Sequence, residues 1–288
     1  MTGNGQKEKL TTVKLKEMKS TNRRISMVTA YDYPTARAVE DSGADVILVG
    51  DSLGMVVLGH ETTLPVTLDD MIHHTRAVKR GAKNTFVVTD MPFLSANISI
   101  PETVRNAGRI IQEAGADAVK LEGGREMIDE IRALMKANIP VMGHLGLTPQ
   151  AVNQLGGFKL QGKDVESAKR IFEDALFLQE AGCFAIVLEL VPTPLATMIS
   201  EHLTIPTIGI GAGAGCDGQV LVIHDLLGIT NDYMPRFVKK YGNLYETMVD
   251  AVKSYNQEVR DGVFPGSAHE FGMKDEVVAA LKKELSIQ

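Results

Sequence analysis

Tryptophan is absent from this chain of 288 residues, and aromatic residues make up only 5% of it. Hydrophobic residues nevertheless reach 44%, so we expect a core built mainly from aliphatic side chains. No apolar run approaches the roughly 18 residues that a membrane-spanning helix needs. Basic residues do not outnumber acidic ones, and the net charge of −6 disfavours binding to nucleic acid. We therefore expect neither a membrane nor a nucleic acid as a partner.

Cysteine is also scarce, because Cys183 and Cys216 are the only two and neither belongs to a C-x-x-C pair. Both are predicted to be small buried residues of a protein in a reducing compartment. Residues 1–10 are polar and lack the apolar centre of a secretion signal, so they are predicted to form a flexible tail. Residues 11–288 are predicted to form a single domain with helices at its C-terminal end.

Short apolar runs alternate with amphipathic segments along most of the chain. Near-continuous runs of Val, Ile, Leu and Ala are typical of strands buried on both faces of a parallel sheet. Eight strands are predicted, at 25–32, 46–52, 85–92, 118–123, 139–146, 184–191, 207–213 and 220–225. The main helices are predicted at 35–42, 68–80, 102–114, 125–137, 165–181 and 195–201. This order indicates repeated βα units.

One pattern recurs in the segments 41–51, 113–123 and 180–190. Each copy ends a helix on a glycine, continues as an apolar strand and finishes on a carboxylate. The glycines are Gly43, Gly115 and Gly182. The repetition favours a (β/α)₈ barrel, with an open doubly wound sheet as the alternative. Residues 231–288 are polar with a helical pattern, and they are predicted to supply the last helix and an oligomer contact or a cap.

Charged side chains stand at the C-terminal ends of five predicted strands, where the active face of a barrel lies. They are Asp51, Asp90, Lys120 with Glu122, His144 and Glu189. Four of them have an alternative explanation: the two aspartates could cap helices, Lys120 could form a salt bridge, and His144 could be a core histidine. The alternative is weakest for Glu189, which lies between Leu188 and Leu190. A charge in an apolar run is costly to bury unless it is paired or binds a metal. Five such positions at one mouth therefore favour a functional site.

Several carboxylates beside one lysine suit a hard, oxygen-binding cation such as Mg²⁺. Zinc is disfavoured because the adjacent His73 and His74 point in different directions on a helix, and both are predicted to lie at the surface. A 2-oxo acid could chelate the cation, which would then stabilise an enolate. Lys120 could neutralise the charge of the substrate, and Glu189 or His144 could remove a carbon-bound proton.

Two loops contain further patterns. GIGAGAG at 209–215 has only loosely the spacing of a dinucleotide-binding turn, and no helical pattern follows it directly. It is predicted to let a ligand approach the backbone closely. GHETTLP at 59–65 is predicted to be a mobile loop that acts as a lid.

From about residue 12 to about residue 270, the chain resembles the ketopantoate hydroxymethyltransferase family. The matching segments are VGDSLGMVVLGHETTLPVTLDDMIHHTRAVKRG (49–81), TDMPF (89–93), AVKLEGG (118–124), VMGHLGLTPQ (141–150), GGFKLQGK (156–163), FAIVLELVP (184–192) and GIGAGAGCDGQVLVIHDLLG (209–228). The resemblance implies a (β/α)₈ TIM barrel of the phosphoenolpyruvate/pyruvate-like type. It also implies transfer of a hydroxymethyl group from 5,10-methylenetetrahydrofolate to 3-methyl-2-oxobutanoate, which gives 2-dehydropantoate for pantothenate and coenzyme A synthesis.

The resemblance assigns roles to the residues at the strand ends. Magnesium is expected on Asp51, Asp90 and Glu122. The oxo acid is expected to contact Asp51, Ser52, Asp90 and Lys120. Glu189 matches the proton acceptor, and together with Lys120 and His144 it forms the predicted catalytic set. The resemblance also implies that the enzyme is cytoplasmic and forms large homo-oligomers, often decamers.

Two other functions fit parts of this pattern. Lyases of the phosphoenolpyruvate mutase and isocitrate lyase type use the same barrel, metal and enolate, but they typically have a catalytic cysteine in a KKCGH-like motif. That motif is absent from this sequence. A non-catalytic barrel that only binds an oxo acid would need no base, so the presence of Glu189 counts against it.

Overall fold

A closed barrel of eight parallel strands forms the centre of the computed structural model, which describes residues 9–157, 159–230 and 234–287. The strands are β1 (Ile25–Thr29), β2 (Val46–Val49), β3 (Phe86–Asp90), β4 (Ala118–Glu122), β5 (Val141–Gly146), β6 (Ala185–Glu189), β7 (Thr207–Ile210) and β8 (Gly218–Leu221). Each strand pairs with the next along the chain, and the pairing of β8 with β1 closes the ring. The predicted barrel is confirmed, and the open doubly wound sheet is wrong.

The interior of the barrel is filled mainly by aliphatic side chains, because alternate residues of each strand point inward. Helix α1 (Thr12–Ser20), which the sequence analysis did not predict, adds Leu15 and Met18 to this interior cluster. These two side chains are only 1% and 4% exposed. Lys19, at the end of α1, forms an ion pair with Asp217 just before β8. Helix α1 therefore closes the N-terminal end of the barrel.

The other helices surround the barrel or follow it in the chain. They are α2 (Tyr33–Asp41), α3 (Leu53–Val56), α4 (Leu68–Gly81), α5 (Ile100–Arg109), α6 (Ile128–Lys136), α7 (Val152–Leu155), α8 (Val165–Ala181), α9 (Thr193–His202), α10 (Ile223–Leu227), α11 (Leu244–Arg260) and α12 (Asp275–Leu285). A π-helical turn, Ile110–Ala114, extends α5. All six predicted helices are present. Gly43, Gly115 and Gly182 have φ angles of 85°, 76° and 113°, as expected after helix ends.

All eight strands are shorter than predicted, and β7 and β8 show why. β7 ends at Ile210 rather than at residue 213, because Gly211 and Gly213 adopt φ angles of 65° and 80° that interrupt an extended strand. β8 runs from Gly218 to Leu221, whereas the prediction was 220–225. The rest of that predicted strand belongs to α10, whose five residues are too few to show a helical period in the sequence.

Three aspartates precede strands at the N-terminal end of the barrel: Asp45 before β2, Asp117 before β4 and Asp217 before β8. Each accepts a backbone N–H from the preceding strand at 2.8–2.9 Å, the donors being Ser26, Val87 and Thr207. Each also lies 2.9–3.1 Å from a cation, the partners being Arg23, Lys79 and Lys19. These carboxylates therefore tie neighbouring strands together.

Helices α11 and α12 follow the barrel and are largely exposed. In the part of the chain that the structure describes, neither helix contains a buried residue. Apolar residues recur at helical spacing along one face of α11: Leu244, Met248, Val252, Tyr255 and Val259. The predicted helical character of the C-terminal segment is confirmed, although residues 231–233 lie outside the described residues. Its role in oligomer contacts stays a prediction.

The predicted tail, residues 1–10, falls mostly outside the described residues. Of its last two residues, Lys9 has its Nζ 2.5 Å from Asp117 Oδ1, and Leu10 packs against the interior cluster. Among the described residues, no helix combines the length and the apolar composition needed to cross a membrane.

Candidate active site

The charged side chains that the sequence places at strand ends line one pocket at the C-terminal mouth of the barrel, with a volume of about 140 Å³. The pocket contains all the predicted site residues: Asp51, Ser52, Asp90, Lys120, Glu122, His144 and Glu189. Aliphatic side chains complete its wall, among them Leu48, Val187, Ile210 and Val220. The pocket therefore joins a charged group of residues to an apolar surface, while the individual roles stay predictions.

The alternation of the strands explains this convergence. Asp90 lies two residues after Val88, and His144 lies two residues after Met142. Both Val88 and Met142 belong to the interior cluster of the barrel. Residues two apart on a strand share a face, so the charged side chains continue the same inward-facing rows at the upper end.

Asp51 and Asp90 are neighbours at the ends of β2 and β3, and only 4% and 3% of their surfaces are exposed. The backbone N–H of Asp51 donates to Asp90 Oδ2 at 3.1 Å. The cap positions of α3 and α5 are Ser52 and Ser99, so the helix-capping explanation for the two aspartates is wrong. Burial raises the pKa of both carboxyls, and the charges of Asp90 and Glu122 raise that of Asp51 further.

Lys120 is buried in the middle of this group, with 4% of its side chain exposed. Its Nζ lies 3.0 Å from Asp90 Oδ1 and 3.2 Å from His144 Nδ1. Burial alone would lower the pKa of Lys120, but Asp90, Glu122 and Asp51 together raise it above its ordinary value. The lysine is therefore a fixed positive charge at the mouth. The salt bridge suggested as an alternative exists, with Asp90 as the partner, and it lies inside the pocket.

His144 lies between two carboxylates. Its Nε2 is 3.1 Å from Glu189 Oε2, and its Nδ1 is 3.4 Å from Glu122 Oε1. Burial and Lys120 lower the pKa of His144, but Glu122 and Glu189 outweigh them and raise it to about 9. Because Nδ1 also faces the Lys120 ammonium, the proton that the ring keeps in either charge state is the one on Nε2, towards Glu189. His144 is thus more than a core histidine with a single partner.

Ser52 is held by Tyr31, a residue that the sequence analysis did not single out. The hydroxyl oxygens of Ser52 and Tyr31 are 2.9 Å apart. Burial raises the pKa of Tyr31, so its phenol stays protonated. Tyr31 is held in turn by His74, whose Nδ1 lies 2.6 Å from the Tyr31 carbonyl oxygen. His74 is half-buried and so fits the prediction of a surface residue only in part, whereas His73 is exposed as predicted.

Gln150 is a second residue that the predictions missed. It lies in the 3₁₀ turn Pro149–Ala151 after β5 and donates hydrogen bonds to Asp51, Met91 and Glu122. Its place in the segment VMGHLGLTPQ was the only signal in the sequence, because one polar residue in a loop has no periodic pattern.

The loops 209–215 and 59–65 make different contacts in the structure. A Cβ atom on Gly213 would overlap Thr193 of α9, and one on Gly215 would overlap Thr197. These two glycines of the 209–215 segment therefore let α9 pack closely against the loop. The close approach of a ligand to this loop stays a prediction. In the 59–65 segment, Thr63 is 2% exposed and lines the pocket. Its movement as a lid stays a prediction.

The group of side chains fits a hard divalent cation. Asp90 Oδ1 is buried and, among the described residues, has no aligned hydrogen-bond donor, although Lys120 Nζ lies at ion-pair distance. Nowhere in the described ranges do three His, Cys, Asp or Glu side chains converge closely enough to hold a metal ion unaided. The residues therefore suit an ion such as Mg²⁺, which takes one or two protein carboxylates and fills its other positions with water or substrate oxygens.

Comparison with known proteins identifies the family. The model of the ketopantoate hydroxymethyltransferase family matches residues 9–267. The chain belongs to this family. It is 59% identical over 273 residues to the 3-methyl-2-oxobutanoate hydroxymethyltransferase of Enterococcus faecalis, covering 95% of this chain and 99% of that protein. The protein of the same name from Syntrophus aciditrophicus is 58% identical over 263 residues, covering 91% and 97%. The predicted family and the predicted class of enzyme, a hydroxymethyltransferase, are confirmed.

Solved structures place this ketopantoate hydroxymethyltransferase family member among related barrels. A phosphonopyruvate hydrolase solved with oxalate and Mg²⁺ superposes with a TM-score of 0.58 at 13% identity, covering 96% of this chain and 97% of that one. A phosphoenolpyruvate phosphomutase from Streptomyces platensis subsp. rosaceus gives 0.60 at 14% identity, covering 96% of each chain. At such low identity these likenesses concern the fold alone, and they agree with the (β/α)₈ barrel of the structure.

Proposed function

We propose that this chain transfers a hydroxymethyl group from 5,10-methylenetetrahydrofolate to 3-methyl-2-oxobutanoate, giving 2-dehydropantoate for pantothenate and coenzyme A synthesis. Family membership supports this reaction. The observation in the structure that supports it most directly is the pocket itself, in which the buried Lys120 and two aspartates lie beside aliphatic side chains. The charged part suits the oxo and carboxylate groups, and the apolar part suits the branched carbon chain.

Glu189 is the proposed base that removes the proton from C3 of the oxo acid. Its side chain is 16% exposed, and its Oε2 lies 3.1 Å from His144 Nε2. One carboxylate oxygen thus lies beside His144, and the other is available to the substrate carbon. His144 acts as the contact that orients this carboxylate.

Lys120 is proposed to hold the carboxylate of the oxo acid, and its charge opposes the negative charge that develops when C3 loses its proton. Asp51, Ser52 and Asp90 are proposed to complete the contacts with the oxo acid. Tyr31 holds the Ser52 hydroxyl in place, so that the hydroxyl points to the pocket rather than rotating freely.

Magnesium is proposed as the cation, held by Asp51 and Asp90 with Glu122 in the same cluster. When bound, it would act as a Lewis acid on the keto oxygen and make the C3 proton more acidic. The raised pKa of Asp51 supports the proposal, because crowded, buried carboxylates favour the arrival of positive charge.

Self-association into a homo-oligomer, a decamer as the family resemblance implies, is proposed for the assembly. The apolar face of α11 supports self-association, since a helix with such a stripe normally packs against another apolar surface. We also propose that the protein acts in the cytoplasm with small-molecule substrates.

The rival functions make different predictions in one experiment. The protein is incubated with Mg²⁺ and 3-methyl-2-oxobutanoate in deuterated water, and exchange at C3 is followed by NMR. Exchange without folate, followed by formation of 2-dehydropantoate when 5,10-methylenetetrahydrofolate is added, is the expected result. A barrel that only binds the oxo acid gives no exchange. A lyase instead cleaves its own substrate and ignores the folate, and either result contradicts the proposed function.

A further inference from the structure

Gln150 lies outside the predicted catalytic and metal-binding set, yet it contacts two members of that set. It belongs to the loop after β5, and it reaches residues at the ends of β2, β3 and β4. Its Nε2 donates to Asp51 Oδ2 at 2.8 Å and to the Met91 carbonyl oxygen at 2.9 Å. Its backbone N–H donates to Glu122 Oε2 at 3.0 Å.

The two hydrogen bonds from Nε2 fix the orientation of the side-chain amide. A primary amide has two N–H donors, and both are used by acceptors in this site. If the amide were turned over, its oxygen would face the Asp51 carboxylate and the Met91 carbonyl, which are also acceptors. The nitrogen therefore stays on the side of Asp51.

In each of the three carboxylates, one oxygen accepts one of these backbone or Gln150 hydrogen bonds and the other does not. Gln150 occupies one oxygen of Asp51 and one oxygen of Glu122, and the Asp51 N–H occupies one oxygen of Asp90. One oxygen of each carboxylate is left without these donors. Calcium commonly binds both oxygens of a carboxylate, whereas magnesium is satisfied by single oxygens in a tight octahedron. Holding one oxygen of each carboxylate therefore disfavours the larger ion.

We propose that Gln150 is a positioning residue that occupies one oxygen each of Asp51 and Glu122 and leaves only the other oxygen of each for a cation, so that the site selects a small divalent cation over a larger one. This inference rests on the proposed function for the assumption that the carboxylates bind a divalent cation. It goes beyond that function because it assigns the choice of ion to a residue that touches neither the ion nor the substrate.

The test compares Gln150→Met with the parent protein. Methionine has a similar length and keeps the backbone N–H, but it lacks both side-chain donors. Binding of Mg²⁺ and of Ca²⁺ to the full chain without substrates is measured by isothermal titration calorimetry, so the readout does not depend on activity. Loss of a residue that orients a ligand typically weakens metal affinity about 10- to 100-fold. We expect a loss of this size for Mg²⁺ and a smaller loss for Ca²⁺, so that the ratio of the Mg²⁺ affinity to the Ca²⁺ affinity falls.

Gln179→Met is the matched control. Gln179 also joins separate elements through three hydrogen bonds, accepting from the N–H and hydroxyl of Thr204 and from the N–H of Ile205. It lies in α8 near the N-terminal end of the barrel. This control is expected to unfold at a lower temperature while keeping the parental ion preference. If Gln150→Met fails to fold, Gln150→Asn provides the second test, because its shorter amide cannot reach both acceptors.

The outcomes separate the inference from the proposed function. A folded Gln150 variant with the parental ratio of the two affinities overturns the inference, and so does an equal loss for both ions. In either case the proposed reaction is untouched. If the parent protein binds no divalent cation at all, with or without the oxo acid, the inference and the metal part of the proposed function fail together.

Discussion

The two ends of the barrel use carboxylates in opposite ways. At the N-terminal end, Asp45, Asp117 and Asp217 each have their own cation and their own backbone N–H donor from the neighbouring strand. At the C-terminal mouth, Asp51, Asp90 and Glu122 share one buried ammonium group, that of Lys120. Each aspartate at the first end has at least one cation of its own, and Asp117 has two, Lys9 and Lys79, whereas the carboxylates at the mouth are crowded around a single lysine.

From this difference we expect the residues at the first end to stabilise the barrel and those at the mouth to serve the proposed reaction. In barrel enzymes, the N-terminal end typically contributes stability and the C-terminal end contributes catalysis. Matched pairs at one end are expected to stabilise the fold, while unmatched charge at the other end raises the pKa of Asp51 and suits a cation or an anionic substrate. Substitutions at the two ends should therefore affect different measurable quantities.

The largest effect is expected for Glu189→Gln at the mouth. If Glu189 is the base, the rate of deuterium exchange at C3 should fall about 10²- to 10⁴-fold, because glutamine cannot accept the proton. Binding of the oxo acid, measured by calorimetry, should change little. Glu201→Gln, an exposed glutamate of α9, is the control and should exchange at the parental rate. Parental exchange in the Glu189 variant would make His144 the leading candidate for the base.

Lys120→Met is expected to lower both activity and stability. It removes the ammonium from among three carboxylates, and truncating one partner of a buried charge pair costs about 2–5 kcal/mol of binding, or a loss of roughly 30-fold or more in kcat/KM. The free energy of unfolding should fall by about 3–5 kcal/mol, because Asp90 is left buried and unpaired.

Adding Asp90→Asn to Lys120→Met tests this explanation. The double variant should regain much of the lost stability in denaturant unfolding, because the unpaired charge is gone, but it should not regain activity. If the single variant keeps the parental kcat/KM, Lys120 has a structural role only.

At the other end of the barrel, Asp117→Ala should lower stability without affecting catalysis. The carboxylate accepts the N–H of Val87 at 2.9 Å and pairs with Lys79 at 3.0 Å. Losing hydrogen bonds to a charged group should cost about 1.5–3 kcal/mol in the free energy of unfolding. The kcat/KM measured well below the unfolding temperature should match that of the parent protein. A large loss of activity in the folded variant would contradict the separation between the two ends.

The smallest effect is expected for Glu40→Gln, and it depends on pH. Burial tends to raise the pKa of Glu40, but the N–H groups of Asn84 and Thr85, just before β3, lower it below its ordinary value of 4.5. The folded state therefore stabilises the charged form of Glu40 relative to the unfolded state. The contribution of Glu40 to the free energy of unfolding is complete above its ordinary pKa. It is lost as the pH falls through the lowered pKa of the folded state.

Because Glu40 is partly exposed, this contribution should stay below about 1 kcal/mol. The stability difference between the parent protein and the glutamine variant, measured by denaturant unfolding, should therefore be present at neutral pH and disappear under strongly acidic conditions. A difference that persists unchanged into acid would show that the hydrogen bonds do not depend on the charge of Glu40.

Much of the fold and of the candidate site was predictable because both produce strong local patterns. Parallel strands buried on both faces are apolar throughout, so Asp90 and Glu189 at their ends are conspicuous. Gly43, Gly115 and Gly182 mark helix ends because the left-handed conformation favours glycine. Each of these patterns is contained in a segment of about ten residues, so it can be recognised without knowledge of the tertiary structure.

The missed features depend on contacts between distant segments. Gln150 matters because it reaches three strands whose residues are at least 28 positions away in the chain. Tyr31 matters because Ser52 and His74 come close to it only when β1, β2 and α4 have packed together. Helix α1 has just two buried residues, Leu15 and Met18, so its amphipathic pattern is too weak to detect before the barrel end that it covers is known.

The closure of one end by α1 has a kinetic consequence. With Leu15 and Met18 filling that end, small molecules reach Lys120 and Glu189 from the mouth in the structure described. If the oxo acid binds deep in the pocket, as we propose, a folate already at the mouth would block its entry. We therefore expect compulsory-order kinetics, in which the oxo acid is the first reactant on and 2-dehydropantoate the last product off. In steady-state product inhibition, 2-dehydropantoate should then compete with the oxo acid at every concentration of the folate.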